Sequence, residues 1–192
     1  MILPTPRATG GARRCPPLAG TAMACAFALL ALAGCDSEQQ EAHEVLPMLE
    51  VPADEAIRLS LEEVPGSDLA ALHLRQSEGD EPVWDSNVVA QDGTRHLVRV
   101  DGSRPKVLSA KEVPDEDAGQ RKLIEQAKIL PEQAVREVTK PEFGKVTSIE
   151  IDTKEGRVVW NVDVTTIERD NVHTYDVDAK TGEVLDRGEL SS

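Results

Sequence analysis

Aromatic side chains are scarce, with two Trp, one Tyr and two Phe in 192 residues. Phe27 lies in an apolar run, so Trp84, Phe143, Trp160 and Tyr175 are the only aromatics left to build with. They suit core positions, and a deep aromatic ligand pocket is excluded. No cysteine follows Cys35, so any fold beyond that point forms without a disulfide. The longest apolar run, AMACAFALLALA at Ala22–Ala33, falls short of the roughly 20 residues that span a bilayer as a helix. Asp and Glu are missing from the first 34 residues.

Those 34 residues carry Arg7, Arg13 and Arg14 ahead of the apolar run and end in Leu32-Ala33-Gly34-Cys35. A positive start followed by a short apolar segment is an export signal. The LAGC ending resembles the lipobox of bacterial lipoproteins. The resemblance implies cleavage between Gly34 and Cys35, a diacylglycerol on the Cys35 thiol and usually an acylated new amino group. Chains contributing about 0.8 kcal/mol per buried CH2 then anchor the protein in a membrane without a transmembrane helix. The alternative is an ordinary cleaved signal in which Cys35 is incidental. Asp36 resembles the signal that retains some lipoproteins on the inner membrane, and so favours that membrane within an envelope location facing the periplasm or the exterior.

Beyond residue 34 stand 18 Lys and Arg against 35 Asp and Glu, a net charge of −17. Such a surface repels nucleic acid and anionic headgroups and favours basic partners, or simply keeps the chain soluble. The spacing of polar and breaker residues divides this part into a tether (35–50), a first unit (51–110), an acidic linker containing PDEDAG (111–119) and a second unit (120–192). His43, in the tether, is expected to be solvated.

The two units repeat each other. HTYDVDAKTGEVL at His173–Leu185 has a counterpart of equal length, HLVRVDGSRPKVL, at His96–Leu108. Each unit opens with an amphipathic helix, ADEAIRLSLEEV before Pro65-Gly66 and PEQAVREVTK before Pro141. Alternating strands follow, separated by EGDE and QDG in one unit and by KEG and ERDN in the other. Val158, Trp160, Val162 and Val164 alternate with Val159, Asn161, Asp163 and Thr165, giving a dry face and a wet one. The expected class is α+β: two tandem repeats, each one helix packed on a small antiparallel sheet.

The second unit resembles the PepSY domain through PEQAVREV, Trp160 and Tyr175-Asp176-Val177-Asp178-Ala179-Lys180-Thr181-Gly182-Glu183-Val184-Leu185. The match runs from about Leu123 to Arg187. The first unit, about Val51 to Ala110, matches loosely because Gly102-Ser103-Arg104-Pro105 replaces the D-x-x-T-G turn. PepSY domains occur in pro-regions of thermolysin-like metalloproteases and in exported bacterial proteins, where they are thought to restrain proteases or bind envelope partners. The motif carries no catalytic residues.

The residues offer no other chemistry. His96 and His173 occupy equivalent places, but neither has a second His or Cys at ligand spacing, so both are expected to be structural. His73 is expected on the polar side of its strand. Asp176-Val177-Asp178 before Gly182 suggests a calcium loop only faintly, since Lys180 and Thr181 stand at its fifth and sixth places; a turn is expected. No Ser-x-Gly elbow or phosphate-cradling loop occurs. No metal or cofactor is implied, and the chain is not expected to be an enzyme. The expected role is a membrane-anchored interaction module that binds or restrains an exported protein, such as a protease. The alternative is a structural or assembly lipoprotein with no protease link.

Overall fold

Alternating apolar residues and Gly-bearing turns produce eight strands in the computed structural model, which describes residues 40–114, 118–139, 144–166 and 172–190. The strands are β1 (Asp68–Gln76), β2 (Pro82–Val89), β3 (Arg95–Asp101), β4 (Val107–Val113), β5 (Lys145–Lys154), β6 (Arg157–Thr165), β7 (Val172–Asp178) and β8 (Val184–Leu190). Helices α1 (Ala53–Glu63), α2 (Ala118–Ile124) and α3 (Pro131–Thr139) accompany them. All strands join one antiparallel sheet in the order β4-β3-β2-β1-β5-β6-β7-β8. This is a mixed α/β fold with few helices.

Two small sheets were expected; one continuous sheet is found. Each four-stranded meander would leave the apolar first strand, β1 or β5, as a bare edge. Pairing the two edges removes both from water and from stray strands. The described residues accordingly belong to one compact unit.

One face of the sheet carries Leu72, Leu74, Trp84, Val88, Val98 and Val100 in the first meander. The same face continues through Ile149, Ile151, Trp160, Val162, Val164 and Val177 in the second. Helices α1 and α3 cover this face and touch each other. Helix α1 presents Ala53, Ala56, Ile57 and Ser60 inward, and α3 presents Ala134, Val135 and Val138. The opposite face shows His73, Asp85, Ser148, Asn161 and Asp163 partly exposed, but Ala71, Val89 and Val159 on it are buried, so the face expected to be wet is only partly so.

Residues 40–49 depart from the expected tether. Residues 40–45 are helical and continue into a 3-10 turn, Leu46–Met48. Ala42, Val45, Leu46 and Leu49 are buried in the same core as the sheet. Their i, i+3, i+4, i+7 spacing is that of a helix face. His43 is half-buried and engaged rather than solvated.

The expected linker is also largely structured. Lys111–Val113 complete β4, and Ala118 begins α2. Helix α2 lies against β1 and β5, where Gln120 Nε2 donates to Glu150 Oε1 (3.3 Å) and Arg121 donates to the carbonyl of Gln91 (2.9 Å).

Candidate functional site

The expected anchor residues Gly34 and Cys35, with Asp36, lie outside the described residues, as does Phe143. The described residues must therefore be judged as a surface and a set of clefts.

The two equivalent histidines are not brought together. His96 lies on β3 opposite Val88, and His173 on β7 opposite Val164. Five strand spacings of about 4.8 Å separate them, roughly 24 Å, too far for shared ligation. Among the described residues no group of three or more His, Cys, Asp or Glu is placed to hold a metal ion. None of the described helices is long and apolar enough to cross a membrane.

Both tryptophans act as struts. Trp84 Nε1 donates to the Val51 carbonyl (3.0 Å), and Trp160 Nε1 donates to the Ile129 carbonyl (2.9 Å). Each carbonyl belongs to the segment leading into the helix of its own half. The same segments are clamped a second time. Glu50 and Val51 N–H both donate to Gly102 O (2.9 and 2.8 Å), while Lys128 and Ile129 N–H both donate to Ala179 O (2.7 and 2.9 Å).

The D-x-x-T-G segment is a turn. Asp178 Oδ1 accepts from Lys180 N (2.8 Å) and Thr181 N (3.0 Å), Gly182 N donates to Asp178 O, and Gly182 takes φ +79°. Only a residue without a side chain adopts that φ freely. The Lys180 amide pulls the Asp178 carboxyl below its ordinary range, burial pushes the other way, and Thr181 adds to the lowering. In the first half Asp101 Oδ1 accepts from Ser103 N (2.9 Å) and Oγ (2.6 Å), and Arg104 closes on Oδ2 (3.0 Å). Burial raises Asp101, but Ser103 and Arg104 together outweigh it and hold its carboxyl low.

On the polar face a row of side chains crosses the middle of the sheet: Asp85, His73, Ser148, Asp163 and Thr174, each opposite the next. His73 Nδ1 and Ser148 Oγ lie 3.3 Å apart, and Thr174 Oγ1 donates to Asp163 (2.7 Å). Asp, His and Ser in sequence suggest an acyl-transfer triad. Asp85, however, gives its carboxylate to Arg99 Nε (3.0 Å) rather than serving as a free orienter. What the row supplies is polar contact across the join between β1 and β5. His73 was expected on this side, and its bond to Ser148 was not legible because its partner is 75 residues away.

A cleft of about 400 Å³ opens where the N-terminal turn meets α1 and α3, lined by Leu49, Pro52, Ala53, Val135, Thr139 and Lys145 among others. Lys145 Nζ reaches across it to donate to the carbonyls of Leu49 (2.5 Å) and Leu46 (3.3 Å). The sheet ends in two outer edges, β4 and β8. On β4, Leu108 is 47% exposed, the sort of apolar group an added strand would cover.

Residues 128–187 match the family model described as peptidase propeptide and YPEB domain, PepSY. This stretch is similar to a PepSY domain. It runs from the Lys128 clamp through α3 and β5–β7 into β8. A crystal structure described as that of a "putative lipoprotein" from Clostridium difficile 630 is similar at 22% identity, over 73% of this chain and 94% of that one, with a TM-score of 0.44. No curated protein sequence matches the chain.

Proposed function

We propose that this protein is a lipid-anchored, non-catalytic interaction module of the bacterial envelope that binds or restrains an exported protein, such as a protease. The observation that carries the proposal is the PepSY domain at residues 128–187, a family whose description includes peptidase propeptides. The LAGC ending at Cys35 supports an anchored location. The outer edges β4 and β8 supply backbone N–H and C=O groups for an extended segment of the partner, the strand-addition mode of recognition. The net negative charge favours a basic partner and makes association sensitive to salt.

We further propose that residues 51–110 are a second, divergent PepSY-like repeat. Several equivalences at offsets of 76 to 78 residues support this. The Trp84 and Trp160 struts correspond, as do the Gly102 and Ala179 clamps. Register shifts occur at Leu69/Ala71 and again at Val146/Ser148, and at Arg99/Val100 and again at Asp176/Val177.

Crosslinking in intact cells, followed by identification of the captured protein, tests the role. An exported protein whose capture weakens as salt rises is expected, and Cys35→Ser is expected to release the protein from membranes or leave an uncut precursor. Fatty acid still attached to the serine variant overturns the anchor. Turnover abolished by replacing one Ser, His or Asp overturns the non-catalytic role.

A further inference from the structure

We infer that the β1–β5 join is a twofold interface built within one chain, and that the same pairing can join two copies of this chain. The inference rests on reading the two halves as copies. Three pairs cross the join: Ala71 with Glu150, Leu72 with Ile149, and His73 with Ser148. At an offset of 77 residues, Leu72 is equivalent to Ile149, Ala71 to Ser148 and His73 to Glu150. Exchanging the halves therefore maps every pair of the join onto another pair of the same join. The axis passes between Leu72 and Ile149, perpendicular to the sheet. An interface in which residue i meets j and j meets i is the isologous contact of a symmetric dimer.

The core at the join and the two covering helices fit the same symmetry. Leu72 and Ile149 are fully buried at the axis. The equivalent helices α1 and α3 meet each other over it. Side-chain contacts also tie each half to the other without repeating one another: Lys145 on β5 holds the carbonyls of Leu46 and Leu49, and Arg121 of α2 holds the carbonyl of Gln91 beyond β2. The three strand pairs of the join are thus self-complementary, with Leu72 and Ile149 at the centre. Such an interface does not distinguish a half in its own chain from the same half in a neighbour. Between chains, β1 would meet β5 in the register seen within the chain. Between two second halves, Ile149 would face Ile149 and Ser148 would face Glu150.

The test uses the chain from residue 36 onward, which holds the whole described unit and no cysteine. One version carries His73→Cys and another Ser148→Cys. Directly opposed residues have Cβ atoms about 4.5–5.5 Å apart, close to disulfide reach. The two versions are unfolded together, refolded at high concentration and oxidised. A covalent heterodimer several-fold above that of a control pair, Ser77→Cys with Glu155→Cys, is expected. In parallel, a protease site placed at residues 115–117 releases residues 118–192, whose molar mass and melting are measured. A half that melts cooperatively and has twice its monomer mass supports the inference. A half that melts cooperatively but stays monomeric, or a heterodimer no more abundant than the control, overturns the inference and leaves the two-copy reading standing. A half with no cooperative melt overturns both.

Discussion

Single residues in this protein show how burial and local hydrogen bonds compete. Asp163 sits on the polar face, where burial pushes its carboxyl above the ordinary range, the Thr174 hydroxyl opposes the shift and the Asp176 charge adds to it. Because the folded state holds this proton more tightly than the unfolded chain, stability declines as pH rises from the ordinary carboxylate value through the folded one. Asp163→Asn keeps an acceptor for Thr174 and is expected to flatten that decline, as read from urea midpoints between pH 4 and 7. Asp178 behaves oppositely. Its lowered carboxyl stabilises the fold above the ordinary carboxylate range, and that stability is lost as pH falls through its folded value. Asp178→Ala leaves the Lys180 and Thr181 amides without their acceptor and is expected to cost about 1–2 kcal/mol at neutral pH, with a much smaller difference near pH 2. This turn was legible in the sequence because its chemistry is local: an Asp, two following amides and a Gly at the one place where φ is positive.

At the level of elements, legibility followed the range of the contacts. Strands such as Asp68–Gln76 and Arg157–Thr165 announce themselves by alternation, and α1 and α3 by an apolar stripe next to Pro or acidic residues. The N-terminal turn was hidden because Ala42, Val45, Leu46 and Leu49 are interleaved with Glu41, Glu44 and Pro47, so a short buried face looks like a polar leader. Helix α2 escaped for a similar reason, since it follows an acidic stretch and its apolar residues Leu123 and Ile124 come only at its end. Leu46→Ala is expected to cost about 2–5 kcal/mol, as a core truncation does, where a tether would have lost nothing. Chemical denaturation of the variant against the parent decides between these outcomes.

The whole molecule behaves as one object because of a contact the sequence did not disclose. No local pattern indicates that β1 and β5, whose paired residues lie more than 70 positions apart, will lie side by side. Since a single core runs under both meanders, calorimetry and circular dichroism are expected to report one coincident transition rather than two separated ones. Two resolved transitions would show that the join is weaker than either half. The docked segment, described from Gln40 onward, also sets an upper limit on a length. No more than five residue steps separate Cys35 from the folded body, at most about 18 Å when fully extended. If Cys35 carries lipid, as proposed, the body would be confined to a thin layer above the bilayer. Confinement raises its effective concentration toward anything else held in that layer and lowers it toward anything free in the volume beyond. Lengthening the chain between Cys35 and Gln40 with Gly and Ser should therefore weaken capture of a membrane-held partner and leave capture of a diffusing one little changed, so that crosslinking yield against spacer length tells which kind of neighbour this protein meets.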